Sequence, residues 1–209
     1  MASGTASAAP FFSGTVADWA SAGTITDGDN DSQWTWSSLT GDLIGLEDSI
    51  DVILSEVEVG GVDLYTVSFD FASFNGGDGY SGSGGNLEYS TTALGTEWLS
   101  SAALDSVTTG NVGETVTKAL SDANGQFLLL TSVNGSNDPV GGHATFDPRQ
   151  SINVADTLNN TQGSFITHVD NEFDVNVPEP ATLLMLGLGL AAFGYSRRRA
   201  MSDVEGLLA

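Results

Sequence analysis

The stretch Asp27-Gly28-Asp29-Asn30-Asp31 carries carboxylates at alternate positions. Asp27, Asp29 and Asp31 stand where a calcium loop places its first, third and fifth ligands, and alternate carboxylates can converge on one hard cation. The sixth and twelfth positions are Ser32 and Ser38, where an EF-hand has Gly and Glu, so an EF-hand is excluded. Two readings stay open: a simpler calcium-binding β-loop, or a solvated acidic turn favoured by Asp-Gly. Asp78, alone among glycines, is a weaker candidate of the same kind. Trp34 and Trp36 alternate and would share one face of a strand. Exposed, such a pair stacks on sugar rings; buried, it fills a core.

Other chemistry is thin. His143 and His168 are the only histidines. With Asp147 or Asp170 close by, each could ligate a metal or orient a base, or else occupy a structural or surface position. The sequence contains no Gly-x-Ser-x-Gly elbow and no Gly-Lys-Ser/Thr phosphate loop, and the glycines of 82–85 lack the following helix that a dinucleotide fingerprint needs. With 27 acidic residues, a glycosidase pair could be drawn anywhere and is not diagnostic. The chain is not expected to be an enzyme. A secreted hydrolase, the weaker alternative, would require an acid, base or nucleophile cluster that the sequence does not display.

These residues must be positioned by short strands. Ile50 to Val59 and Val62 to Ala72 are extended runs separated by Gly60-Gly61, a hairpin signal. In the second run Tyr65, Val67, Phe69 and Phe71 alternate with polar residues, so one face is apolar. A two-residue register sets Glu58 opposite Asp63, and like charges placed opposite each other predict a bulge or a solvated edge there. Leu87 to Thr92, Thr115 to Leu120, Gln126 to Val133, His143 to Phe146 and Ser164 to Val169 are further strand candidates. Residues 97–107 are ambiguous, and Asp42 to Asp48 reads as a helical turn or two. The expected fold is all-β, a β-sandwich or jelly-roll-like ectodomain over residues 11–175, followed by a short C-terminal transmembrane helix.

Composition narrows the partners. Against 27 acidic residues stand five basic ones, for a formal net charge of −22, and three of the five are Arg197, Arg198 and Arg199. Such a body repels nucleic acid and anionic membrane surfaces, attracts divalent cations and stays soluble. The absence of cysteine excludes a disulfide scaffold and thiolate metal sites without excluding export. Residues 1–10 are small and polar. Ala6-Ser7-Ala8 fits a signal-peptide cleavage pattern but no charged start or apolar run precedes it, so the segment reads either as the remnant of a longer signal peptide or as a disordered N-terminus.

After Val177 the character changes. Pro178-Glu179-Pro180 leads into an apolar Gly/Leu-rich run ending at Tyr195, then Ser196 and the three arginines. About 15 apolar residues span roughly 23 Å as a helix, short of the ~30 Å hydrocarbon core, and snorkelling arginines can extend the reach. The positive-inside rule keeps Arg197 to Arg199 cytoplasmic and so puts the acidic body outside the inner membrane. The prolines stop the helix and hold an extended segment at the membrane's outer face.

This order of Pro-Glu-Pro, helix and arginine cluster resembles the PEP-CTERM sorting domain of Gram-negative bacteria, over about residues 177–199. The resemblance implies recognition by an exosortase, removal of the helix near Pro178, Glu179 and Pro180, transient anchoring in the inner membrane, and release or attachment at the cell surface. It implies company with exopolysaccharide and biofilm production. In that scheme the chain is a substrate, and the catalytic residues are the exosortase's. The tail from Ala200 to Ala209, a short cytoplasmic extension, departs from the family's usual ending. For the ectodomain the readings are a structural surface or matrix protein, or a calcium-dependent carbohydrate-binding module.

Overall fold

A computed structural model describes residues 9–59, 62–110, 112–161 and 163–176. The expected transmembrane helix, the sorting motif after Asn176, the cytoplasmic tail and the first eight residues lie outside the described residues. In chain order the elements are β1 (Ala9–Thr15), α1 (Val16–Ala22), β2 (Thr24–Thr26), β3 (Ser32–Thr40), β4 (Asp51–Val59), β5 (Val62–Asp70), β6 (Gly85–Ala93), β7 (Trp98–Gly110), β8 (Thr115–Asp122), β9 (Gly125–Val133), β10 (Ala144–Arg149), β11 (Ser151–Asn159) and β12 (Ser164–Asn176). Two six-stranded antiparallel sheets result, in the orders β1-β4-β5-β12-β7-β10 and β2-β3-β6-β11-β8-β9. The fold is all-β and sandwich-like, as the alternation and turn spacing imply.

Alternation does the work. In β5 every second residue from Asp63 to Phe69 is buried, and in β6 every second residue from Gly85 to Ala93. The two inner faces meet in one core, where Trp34 of the second sheet packs on Tyr65 and Phe173 of the first at 5.5 Å between ring centroids. Trp19, Trp34, Tyr65, Phe69, Phe71, Tyr89 and Phe173 are all fully buried or nearly so. At about 1.5–3 kcal/mol for each large apolar side chain, this aromatic centre stabilises a domain that has no disulfide.

The hairpin β4–β5 forms as predicted; of the two expectations for Glu58 against Asp63 the bulge is absent, and Glu58 is exposed to solvent. The register runs unbroken, and Glu58 lies opposite Asp63. Asp63 is buried, and burial together with Asp29 and Glu58 raises its carboxyl above the usual range, which blunts the repulsion. Helix α1 was not anticipated. Thr15 caps it reciprocally, accepting from the Asp18 N–H at 3.2 Å while Asp18 accepts from the Thr15 N–H at 2.9 Å, and Gly23 ends it at φ +74°. The stretch around Asp42 to Asp48 forms two short 3-10 turns, Gly41–Leu43 and Glu47–Ser49.

One polar strut crosses the core. Lys118 of β8, fully buried, donates to the carbonyl oxygens of Ala103 and Glu172 on the opposite sheet at 2.8 and 3.3 Å, with its ammonium 3.7 Å from the Phe173 ring centroid.

Candidate functional site

The acidic loop between β2 and β3 sits at one end of the sandwich and is fastened to the core. The Trp34 indole N–H donates to Ser32 Oγ at 2.8 Å, Ser32 donates to Asp27 Oδ2 at 2.5 Å, and the Tyr65 hydroxyl reaches the same oxygen at 2.6 Å. Asp27 Oδ1 accepts from the Asp31 N–H at 3.1 Å. Asp27 is thus a buried carboxylate with its orientation set by three donors.

The structure does not bring together the three aspartates the sequence suggested. Asp31 turns to the Tyr65 hydroxyl at 2.5 Å, and burial plus its neighbour Asp27 lift its carboxyl to about 8. Burial also works against ionisation of Asp27, but its hydrogen bonds outweigh that and leave it lowered. The proton of this pair resides on Asp31, and Asp27 keeps the charge. In place of Asp31 stands Glu56 of β4. Oxygens of Asp27, Asp29 and Glu56 lie within 4.8 Å of one another. Ligands on opposite sides of one calcium ion are separated by about 4.6–5.2 Å, twice the usual Ca–O distance, so the trio fits around a single ion. Burial, then Asp29, Asp63, Asp27 and Glu58, push Glu56 up to about 7, and Glu97 is raised by burial, Asp63, Asp29 and Asp27. The site opens through a cleft lined by Pro10, Phe11, Thr26, Gly28 and Glu56.

Sequence spacing missed Glu56 because it lies on another strand. The available signal was in β4 itself, where the alternation of buried Val52 and Leu54 runs on to half-buried Glu56 and exposed Glu58. An apolar face that turns acidic at one end marks the place where the sandwich meets solvent.

Trp34 and Trp36 do share a face, but it is the inner one. Trp34 is fully buried, and Trp36 packs against the core with Trp19 at 5.4 Å and Phe69 at 6.3 Å between centroids. Trp34 offers no open face to a stacked sugar, which corrects its reading as part of a carbohydrate platform, while Trp36 is half-buried with its ring against Trp19 and Phe69.

The histidines are held by carboxylates. His143 lies between Glu172 Oε2, 2.8 Å from Nε2, and Asp174 Oδ1, 2.9 Å from Nδ1, rather than beside Asp147. Ser101 is 3.5 Å from Nδ1 but donates its hydroxyl to Asp174, so the group is not arranged as a nucleophile facing a base. His168 Nε2 pairs with Asp170 Oδ1 at 3.0 Å, and Ser68 donates to the same oxygen. The hydrogen bond to Asp170 raises His168. Burial pushes Asp170 up, but the bonds from His168 and Ser68 prevail and lower it.

Residues 176–199 match the family model described as the PEP-CTERM protein-sorting motif, and the chain carries that motif. No curated protein sequence matches the chain. Among solved structures the chain is similar to TmCBM61, determined in complex with β-1,4-galactotriose, with 12% identity and a TM-score of 0.26, over 68% of this chain and 86% of that one.

Proposed function

We propose that this chain is an exported bacterial surface or extracellular-matrix protein, handed to an exosortase through its C-terminal signal and acting outside the cell as a binding or structural module rather than as an enzyme. The observation that carries the proposal is the placement of the motif. It starts at Asn176, the last residue of β12, so the signal follows directly on the completed sandwich. Cleavage near Pro178, Glu179 and Pro180 would leave every strand of the body intact. Arg197, Arg198 and Arg199 hold the other end of the signal on the cytoplasmic side of the inner membrane. The partners in this reading are the exosortase, the inner membrane during anchoring, and exopolysaccharide after release.

A second element of the proposal is a calcium ion bound by Asp27, Asp29 and Glu56. It is supported by the convergence of their oxygens and by the crowding that raises Glu56. A bound divalent ion relieves that crowding and can bridge to hydroxyl or carboxylate groups of a polysaccharide. This route to carbohydrate does not depend on Trp34 or Trp36.

The sorting reading is tested by intact mass and C-terminal sequencing of the mature protein from its host, with and without the exosortase. Loss of the segment after the Pro-Glu-Pro tripeptide only when the exosortase is present is the expected result. A full-length C-terminus in both strains would overturn it.

A further inference from the structure

Three side chains of complementary reactivity are sealed between the sheets. Lys118 of β8, Asp156 of β11 and Asn171 of β12 are each fully buried. Lys118 and Asp156 are direct partners across the β8–β11 pairing. Asn171 Nδ2 donates to Asp156 Oδ2 at 2.7 Å. The Lys118 amine bonds the carbonyl of Glu172, the residue after Asn171, and packs over the ring of Phe173, one residue further. Amine and carboxamide therefore lie along the same short stretch of β12, each beside Asp156 or its register partner. Asp156 Oδ1 and Asn171 Oδ1 are buried without a hydrogen-bond partner among the described residues. Two unpartnered acceptors on hydrogen-bonded neighbours in a core cost on the order of 1–3 kcal/mol each, which favours a different chemical state of the cluster.

We propose that Lys118 and Asn171 join in an intramolecular isopeptide bond assisted by Asp156. Lys118 Nζ attacks Asn171 Cγ, the Cγ–Nδ2 bond breaks, and ammonia leaves. The proton lost by the attacking amine ends on the departing nitrogen, with Asp156 carrying it between them and returning to its starting state. No oxidant, metal or cofactor enters the balance. A half-turn of the carboxamide presents its oxygen to a protonated Asp156, which then polarises the carbonyl that the amine attacks. Protonation favours the step. Burial lowers Lys118 to about 7 against the pull of Asp156 and Glu172, and burial raises Asp156 to about 7 against the pull of Lys118. A free amine and a protonated acid thus coexist near neutral pH, the pairing an acid-assisted amine attack needs. The Ala103 carbonyl at 2.8 Å holds the amine in place. The product fastens β8 of one sheet to β12 of the other, in a domain without cysteine.

The test is made on the full chain, with folding verified by near-ultraviolet circular dichroism before the protein is denatured and digested with trypsin. The expected result is a branched peptide joining Lys118 to Asn171, lighter than the sum of its arms by one ammonia, with no cleavage after Lys118. Cleavage at Lys118 and unlinked peptides of full mass, from folded protein, would overturn the proposal. A branch at Asp156 with loss of one water would overturn the assignment to Asn171. Because these outcomes are read on the unaltered chain, they do not depend on any variant folding. Asp156→Asn, where it folds, is expected to remain uncross-linked, and cross-linking at the unaltered rate in that variant would overturn the role of Asp156.

Discussion

Replacing Glu56 by Gln should change stability in opposite directions with and without calcium. The oxygens of Asp27, Asp29 and Glu56 lie within 4.8 Å of one another. A charged pair at that distance repels by roughly 1 kcal/mol under water-like screening and by about 3 kcal/mol at an effective dielectric near 20. Glu56 is half-buried at an open cleft, so the screened end of that range applies. Removing its repulsion with two neighbours should stabilise the calcium-free protein by about 1–2 kcal/mol. For a domain of this size that is a rise in Tm of roughly 2–8 °C. Calcium acts the other way round. A single-site ligand at a hundredfold excess over its Kd stabilises the folded state by about 2.7 kcal/mol, or roughly 5–11 °C here. The variant has lost one of the three carboxylates and should lose most of that rise. The assay is thermal unfolding in chelator and in calcium, at a mildly alkaline pH where Glu56, lifted to about 7, is ionised. The unaltered chain is expected to be the less stable protein in chelator and the more stable one in calcium. A melting curve of the unaltered chain that ignores calcium, or a variant less stable than it in chelator, would refute the reasoning.

Two further perturbations follow from the same contacts. Trp34→Ala should cost about 3–5 kcal/mol, since the ring is fully buried against Tyr65 and Phe173, whereas Trp34→Phe should cost about 1–3 kcal/mol for the lost indole hydrogen bond to Ser32 and a smaller void; urea midpoints that barely move for the alanine variant would be those of a surface aromatic and would contradict its burial. The His168–Asp170 pair should give a pH-dependent contribution. Asp170 is lowered on folding, so its part is present above the unfolded aspartate value and is lost as pH falls through the folded value; His168 is raised, so its part is present below the unfolded histidine value and is lost as pH rises through the folded one. Asp170→Asn should therefore destabilise most between about pH 4 and 6.5, the unfolded reference values, and progressively less on either side. Stability differences that stay flat across pH would count against the pair.

Much of the sandwich was legible because period-2 alternation is a direct imprint of a half-buried strand. The β4–β5 pairing and the turn at Asn124-Gly125 were legible for the same reason, from punctuation between two alternating runs. Where alternation carries an ion, the core reading fails, even where the strand itself is legible, as over Thr115 to Leu120. In β11 the inward residues are Ile152, Val154, Asp156 and Leu158, and the single carboxylate breaks the apolar series that would have announced the strand. In β8 the inward series is Val116, Lys118 and Leu120, so a core position looks like a surface one. Each residue is anomalous alone; they explain one another only once the register sets them opposite, and spacing in the chain carries no trace of that pairing. The acidic site failed in the same manner. Asp27 and Asp29 were visible as a local pattern, but Glu56 belongs to the other sheet, and Asp31 shares the Tyr65 hydroxyl with Asp27 instead of completing the trio. The cap of α1 was a missed feature with a local signature, since Thr15 and Asp18 stand at capping-box spacing.

Charge binds these observations together. The described body has two strongly basic side chains and two histidines, and its own acceptors hold all four. Lys118 is buried on two carbonyls; Arg149 pairs with Asp122 and stacks over Phe127 at 4.0 Å; His143 lies between Glu172 and Asp174; His168 is tied to Asp170. Among the described residues no basic side chain is left to meet an anionic partner, while acidic residues far outnumber these four. Removal of the segment beyond Pro178–Pro180 would sharpen the asymmetry, because it carries three of the chain's five basic residues. A polyanion docks by exchanging its counterions for lysines and arginines, and a released body of this kind has none to offer. Under the proposed function, contact with an acidic polymer would run through a divalent ion, and Asp27, Asp29 and Glu56 are the described carboxylates whose oxygens converge closely enough to hold one. On the proposed reading, export, acidity and the cation site would serve one mode of attachment, in which a bound ion supplies the positive charge that the body's own side chains do not.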